Sequence, residues 1–278
     1  MKKYLVIGNP IGHSLSPIIH NYWMKKYKLM NSVYEKREVK ENDLKKVIEE
    51  IRRDEVVGVN ITVPFKKLII PFLDKLDFIA EETQSVNTLF KINNQIVGHN
   101  TDSMGFQDSL KEFYPRSNNS MMSLPLEDKH IFILGAGGVT ASVISALISE
   151  GANNIFLSNR TKEKANELKK LFPEIEVIDW GKKPSICSIV INTTSIGLTK
   201  DEEINIDFNN YDMNHHKDFL FYDLIYNPKE TVFLKKARLR GNKTMNGKTM
   251  FLNQAKYAFN IWTNIMPEID DEVIKLLD

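Results

Sequence analysis

Short apolar runs alternate with longer amphipathic stretches along most of the chain. That rhythm predicts the alternating strands and helices of a parallel α/β fold. In the first part, strands are expected over residues 4–7, 33–39 and 56–60. A helix is expected over 17–28, with Ser16 as its N-cap and Pro17 at the first helical position. Leu44, Val47, Ile48 and Ile51 fall on one stripe, so 42–53 reads as a helix with one buried face. Residues 66–73 read as a short helix. Residues 88–92 and 95–98 flank Asn93-Asn94, the signal of a hairpin turn. A helix over 103–113 then leaves the first domain.

The stretch Pro115-Arg-Ser-Asn-Asn-Ser120, extending to Pro125, is polar and reads as a loop or linker. The alternation resumes after it. Strands are expected over 130–134, 155–158, 176–178, 188–192 and 219–223. Helices are expected over 139–149, 161–171, 231–240 and 249–266, with a short last one near 268–277. The length of 278 residues suits about two domains at ~150 residues each.

Composition narrows the function classes. Apolar residues are 42% and charged residues 26%, near the averages for globular chains, so there is enough apolar surface for two cores. Thirty-seven basic against thirty-six acidic side chains leave a net charge of +1, which argues against a nucleic-acid or membrane-surface binder. No apolar run approaches the ~20 residues of a membrane span. The opening Met-Lys-Lys-Tyr-Leu-Val-Ile-Gly loses its apolar run too soon for a signal core and reads as the first strand. The single cysteine, Cys187, lies in an apolar stretch and reads as a buried thiol. The six histidines form no His-x-x-x-His pair, so no metal site is expected. A cytoplasmic location is the simplest expectation.

Ile131-Phe-Ile-Leu-Gly135-Ala-Gly137-Gly138-Val-Thr140 reads as strand, glycine turn, then helix, the context of a dinucleotide site. Gly135 permits the tight turn. Gly137 lets backbone approach a pyrophosphate, and a helix starting near Gly138 offers N–H groups and a positive dipole end. Thr140 stands at the third fingerprint position, where Gly or Ala is usual. An NAD-type site places an acid about twenty residues on. Here that strand ends Ser158-Asn159-Arg160-Thr161-Lys162, with cations and no acid. Guanidinium pairs well with phosphate, so NADP is favoured over NAD. As solvated helix-start charges, Arg160 and Lys162 would carry no such meaning.

Four further clusters lie at strand-to-loop junctions. Gly8-Asn-Pro-Ile-Gly-His-Ser14-Leu-Ser16-Pro17 offers two hydroxyls that can hold a carboxylate, although Ser16 alone reads as a cap. Asn60-Ile-Thr62-Val-Pro-Phe-Lys66 ends in a lysine that alone reads as solvated. Ser85-Val-Asn87-Thr88 adds an amide, and Gly98-His-Asn100-Thr101-Asp102 a carboxylate that could equally cap the next helix. Together they suit a small polyhydroxy acid. Carbonyl reduction by a nicotinamide needs a proton donor, and a lysine beside an aspartate can serve.

These motifs, with Asn192-Thr-Thr-Ser-Ile-Gly197, Tyr222-Asp-Leu-Ile-Tyr226-Asn-Pro228 and Asn253-Gln254-Ala255, run in order over nearly the whole chain. In them the sequence resembles the shikimate dehydrogenases. The resemblance implies NADP-dependent, reversible reduction of 3-dehydroshikimate to shikimate in aromatic amino acid biosynthesis. A quinate or dual quinate/shikimate dehydrogenase is the nearest alternative, and a non-catalytic NADP(H)-binding sensor a remote one. It implies that Ser14 and Ser16 hold the substrate carboxylate, and that Thr62, Asn87, Asp102 and Gln254 read ring hydroxyls. Lys66 would be the acid/base group coupled to Asp102, with Tyr226 beside the substrate. Gly135, Ala136, Gly137, Gly138 and Val139 would bind the pyrophosphate. Asn159, Arg160 and Thr161 would take the 2′-phosphate, and Leu224 and Gly247 would flank the nicotinamide. The implied fold is an N-terminal α/β substrate domain, 1–102 completed by 249–278, plus a Rossmann-type domain, 103–248, with the last helices returning to the first domain. A monomer or homodimer is expected. Ser103, Lys248 and Thr249 depart from the family pattern.

Overall fold

Residues 1–115, 124–199, 202–206 and 219–277 are described by a computed structural model, in which two units each hold a six-stranded sheet. The first unit is Met1–Phe106 with Leu252–Asp278, and the second is Gln107–Phe251. Most of the polar stretch expected as a linker, residues 116–123, lies outside the described residues, as does His215-His216.

In the first unit, β1 (Lys2–Gly8) runs parallel between β2 (Ser32–Glu38) and β3 (Gly58–Ile61). The hairpin of β5 (Thr88–Ile92) and β6 (Gln95–His99) adds antiparallel to β3. Its turn residues Asn93 and Asn94 have φ of 49° and 62°, the left-handed values that a two-residue hairpin turn of type I′ needs. A short β4 (Lys75–Leu76) pairs parallel with β6 at the edge. The order is β2-β1-β3-β5-β6-β4, so this sheet is mixed where the alternation predicted a parallel one.

Helix α1 is Ser16–Lys26, α2 Leu44–Arg52, α3 Phe78–Thr83 and α4 Thr101–Leu110. The α2 stripe Leu44, Val47, Ile48 and Ile51 is buried with Leu5, Ile7, Val59 and Leu89 in the first core. Each such side chain contributes about 1.5–3 kcal/mol by leaving water.

Three expectations change here. Ser16 is the first helical residue rather than the N-cap; Leu15 occupies the cap position, with no side-chain cap bond. Residues 66–73 do not form a helix. They make turns and end in a 3₁₀ segment, Ile70–Phe72. Pro64 and Pro71 have no N–H to give, and the Lys66 carbonyl accepts from Val86 N–H instead of from a following helical residue. Asp102 does not cap α4 either. Asn100 does, its Oδ1 accepting from the N–H groups of Asp102 and Ser103 at 3.0 and 3.3 Å.

The second sheet is wholly parallel. Its strands are β7 (His130–Leu134), β8 (Asn154–Ser158), β9 (Glu176–Ile178), β10 (Ile189–Asn192), β11 (Leu220–Asp223) and β12 (Lys243–Met245). Between them lie α5 (Thr140–Ser149), α6 (Lys162–Leu171) and α7 (Val232–Leu239). The order β12-β11-β10-β7-β8-β9 is doubly wound, with its direction changing between β7 and β10. In such sheets ligands bind beyond the strand ends at that point. The core beneath holds Phe132, Leu134, Val190, Phe221 and Leu234.

The chain returns to the first unit within α8 (Lys248–Thr263), followed by α9 (Asp271–Lys275). The return is tightly fitted: a Cβ on Gly58 would stand 2.3 Å from the Trp262 ring, and Trp262 Nε1–H donates to the Leu89 carbonyl at 3.0 Å. The elements β4, α3 and β12 carried no periodic signal, being two, six and three residues long.

Candidate active site

Lys66 leaves β3 on the turn that replaces the expected helix. Its Nζ lies 2.5 Å from Asp102 Oδ2, with the two side chains only 12% and 8% exposed. Asp102 sits in the first turn of α4, where unpaired N–H groups and the helix dipole favour a carboxylate. Asn100 holds that turn in register: its Nδ2 donates to Thr83 Oγ1 and to the Ser85 carbonyl. An ion pair this enclosed places the lysine's protons at a defined point.

Beside it, Asn87 is held on both sides of its amide. Its Oδ1 accepts from Thr101 N–H at 2.8 Å and from the Thr88 hydroxyl at 3.0 Å. Its Nδ2 donates to Thr101 Oγ1 at 2.9 Å and, at 3.5 Å, toward Gln254 Oε1 on α8. Thr62 follows the end of β3, its N–H donating to the Ile7 carbonyl. Ser14 Oγ accepts from Ser16 N–H at 3.4 Å. The structure therefore joins Lys66 with Asp102, Asn87 with Gln254, and Ser14 with Ser16, all within the first unit.

Sequence reasoning named Asn60 only as part of a motif and passed over Tyr34. Tyr34 O–H donates to Asn60 Oδ1 at 2.6 Å, and Asn60 Nδ2 donates to Thr88 Oγ1 and to the Asn87 carbonyl, both at 3.0 Å. The only hint was an aromatic residue in the otherwise polar run Glu35-Lys-Arg-Glu38 that follows it.

The second unit builds its site from backbone. Gly135 has φ of 108°, a conformation L side chains avoid, and a Cβ there would stand 2.7 Å from Thr193 Oγ1. Gly137 differs: a Cβ would meet nothing closer than the Thr193 carbonyl at 3.8 Å. Protein packing does not require that glycine, which fits a backbone kept bare for a ligand. Thr140 earns its unusual place in the fingerprint. Its hydroxyl accepts from Gly137 N–H at 3.0 Å and bonds the Gly135 carbonyl and Thr193 Oγ1. The helix begins at Thr140, one residue after the expected start at 139 and two after Gly138.

Asn159 braces the same turn from just beyond β8, its Oδ1 accepting from Ala136 N–H at 3.0 Å and its Nδ2 donating to the Thr161 carbonyl. Arg160 and Thr161 are exposed at the start of α6, and Thr161 makes no side-chain cap. Lys162 is paired with Asp179 at 2.6 Å, so Arg160 is the better placed of the two cations to meet a phosphate.

On the other side of the switch point, Gly247 lies against Leu224. A Cβ on Gly247 would fall 1.9 Å from the Leu224 carbonyl oxygen, and Gly247 N–H donates to the Ile225 carbonyl. The loop is set by Asp223, which accepts from Thr231 Oγ1 at 2.6 Å, Asn192 Nδ2 at 3.0 Å and Ile225 N–H at 3.1 Å. Burial raises the Asp223 carboxyl to about 6 against these bonds. Tyr226 lies in this unit, stacked on Phe251 with centroids 4.5 Å apart, and burial raises its phenol to about 12.

Cys187 is buried and burial lifts its thiol to about 12, which suits packing rather than nucleophilic chemistry. Among the described residues, no group of three or more His, Cys, Asp or Glu is placed to hold a metal ion. No helix there is long and apolar enough to cross a membrane.

Comparison with known proteins agrees with both halves. Residues 6–89 match the family model of the shikimate dehydrogenase substrate binding domain, and residues 118–195 that of shikimate / quinate 5-dehydrogenase. The chain is 52% identical over 277 residues to the shikimate dehydrogenase (NADP(+)) of Pelagibacter ubique (strain HTCC1062), covering 100% of this chain and 99% of that one. The crystal structure of shikimate dehydrogenase from Aquifex aeolicus aligns with a TM-score of 0.85 at 38% identity, over 100% of this chain and 97% of its own. A shikimate dehydrogenase solved in complex with NADP+ aligns at 0.84 and 35% identity, over 100% and 94%.

Proposed function

The chain belongs to the shikimate dehydrogenase family, and from that premise we propose that it reduces 3-dehydroshikimate reversibly to shikimate with NADPH. The observation that carries the reading is the enclosed Lys66–Asp102 pair in the unit that matches the substrate-binding family model. In this reading 1–102, completed by 249–278, binds substrate, and 103–248 binds cofactor.

When bound, the nicotinamide supplies the two electrons. Lys66 Nζ gives its proton to the oxygen that becomes the new hydroxyl, and takes it back in the oxidative direction. Asp102 holds that ammonium in place and offers its second oxygen to a ring hydroxyl. Asn87, Thr62 and Gln254 read the remaining hydroxyls, and Ser14 and Ser16 hold the carboxylate. Tyr226 flanks the reacting ring. The bare backbone of Gly135–Val139 receives the pyrophosphate; Gly137, which has room that packing does not use, is the feature that fits it. Arg160, with Asn159 and Thr161, takes the 2′-phosphate, and Leu224 and Gly247 form the wall at the nicotinamide. A cytoplasmic monomer or homodimer completes the reading.

The test is an absorbance assay of reduced nicotinamide with shikimate or quinate, each with NADP or NAD. Turnover confined to shikimate with NADP is the expected result. Turnover on quinate, or with NAD, would assign the alternative specificity. Silence in all four reactions from protein that binds NADPH would reject catalysis in favour of a sensor.

A further inference from the structure

The last residues of β10 and β11 stand side by side. Asn192 and Asp223 are paired in register, and both are fully buried. A carboxylate is a poor choice there for packing alone. Burial opposes its charge and raises it to about 6, and an apolar side chain of similar size would avoid that cost. Both of its oxygens are nevertheless occupied. Oδ1 accepts from Asn192 Nδ2 at 3.0 Å and from Ile225 N–H at 3.1 Å, and Oδ2 accepts from Thr231 Oγ1 at 2.6 Å.

These bonds gather three segments at the strand ends. Asn192 holds the loop after β10: its Oδ1 accepts from Thr194 N–H and Thr194 Oγ1, and its Nδ2 also donates to the Ile196 carbonyl. Thr231 is the N-cap of α7. Ile225 lies in the loop after β11, and its carbonyl accepts from Gly247 N–H at 3.1 Å. Leu224 stands between Asp223 and Ile225 and donates its N–H to the Asn192 carbonyl at 3.0 Å. Its own carbonyl oxygen is the atom against which Gly247 packs. Leu224 and Gly247 are therefore placed by bonds that start at one carboxylate and its amide neighbour. Asn159 and Arg160, which follow β8, take no part in them.

We propose that Asp223 is a positioning residue for the nicotinamide half of the cofactor: with Asn192 it clasps the loops after β10 and β11, and so fixes the wall made by Leu224 and Gly247 without touching the adenosine half. This rests on the reading that Leu224 and Gly247 flank the nicotinamide. Without the carboxylate, Ile225 N–H and Thr231 Oγ1 lose a buried acceptor, and the Leu224–Gly247 contact loses its anchor. The clasp acts through hydrogen bonds and not through charge. An asparagine of the same shape keeps an oxygen for Asn192 and Ile225, and its N–H can donate to Thr231 Oγ1.

The experiment titrates two ligands by calorimetry into wild type, Asp223→Ala, Asp223→Asn and Leu224→Ala. One is NADPH. The other is adenosine 2′,5′-bisphosphate, which has the 2′-phosphate but no nicotinamide. In Asp223→Ala the Kd for NADPH should rise roughly tenfold, the effect of leaving buried donors unpaired, with that for the bisphosphate within about twofold. A purely structural role would weaken both ligands alike, and an unmoved ratio of the two Kd values overturns the proposal. Asp223→Asn should bring the ratio back to within about threefold of wild type. A ratio as high as in Asp223→Ala would put the effect on the charge and overturn the clasp. Leu224→Ala tests the premise, and should also raise the Kd for NADPH alone. If it does so while Asp223→Ala leaves the ratio unmoved, the proposal falls and the nicotinamide wall stands. An unmoved ratio in Leu224→Ala removes the wall, and the proposal with it. If Asp223→Ala does not fold, Thr231→Val carries the test, since it deletes one donor and keeps the carboxylate. It should move the ratio in the same direction by a smaller factor, and an unmoved ratio again overturns the proposal.

Discussion

The polar cluster of the first unit consists of side chains that hold one another, whereas the glycine turn of the second is backbone held by side chains from other segments. In the first, Asn60, Asn87, Thr88 and Thr101 are buried and mutually bonded, with Lys66 closed against Asp102. In the second, the N–H groups of Ala136 and Gly137 are braced by Asn159 and Thr140, and the charge sits outside on exposed Arg160. A small polyhydroxy acid has to be recognised atom by atom, and a buried network supplies fixed donors and acceptors at a low local dielectric. A dinucleotide presents a pyrophosphate, which any chain can meet with backbone N–H groups and a helix end. Changes in the first unit should therefore be sharp and specific, and those in the second graded and sensitive to salt.

The largest effect is expected at Lys66. Lys66→Ala should lower turnover by ~10²-fold or more, the usual worth of an acid/base group, with NADPH affinity unchanged by fluorescence titration. Turnover near that of wild type would remove Lys66 from the chemistry, and a parallel loss of NADPH binding would erase the contrast between the units.

Gly135→Ala comes next. The new Cβ would combine a φ of 108° with a 2.7 Å approach to Thr193 Oγ1. Such strain costs on the order of 1–3 kcal/mol. Thermal unfolding and NADPH titration should show a lower midpoint and weaker cofactor binding, while the KM for shikimate stays put. Gly137→Ala sharpens the point. With nothing nearer than 3.8 Å it should leave the midpoint alone and weaken only NADPH binding.

The smallest effect is expected at Arg160. Arg160→Gln should raise the KM for NADP roughly three- to tenfold and leave that for NAD nearly unchanged, because the lost contact is an exposed charge on a phosphate. Added salt should narrow the gap between variant and wild type. A gap that persists at high salt would show that Arg160 acts through geometry instead of charge.

Much of this was legible in the residues alone. The α2 stripe, the Asn93-Asn94 turn and the strand–glycine–helix unit at 130–149 each rest on local rules: a 3.6-residue period, a left-handed turn, a chain reversal that only glycine permits. The motifs that carry Lys66, Asp102 and the glycine turn were visible for the same reason. Local rules put the α1 cap at Ser16, a helix over 66–73 and a possible α4 cap at Asp102. Leu15 stands at the first cap position, Val86 N–H takes the Lys66 carbonyl from across the sheet, and Asn100 makes the α4 cap. β4, α3 and β12 were missed because they are too short to show a period and exist only by pairing or packing.

By itself, then, the sequence determined the two-part α/β plan, the cofactor turn and the family to which the chain belongs, since these depend on spacing within short stretches. Only the tertiary structure decided the mixed order of the first sheet, the fit of Trp262 against Gly58 and the line of bonds from Tyr34 through Asn60 to Asn87. Those depend on which buried donor meets which acceptor across tens of residues, and a hydrogen bond has no period along the chain from which to read it.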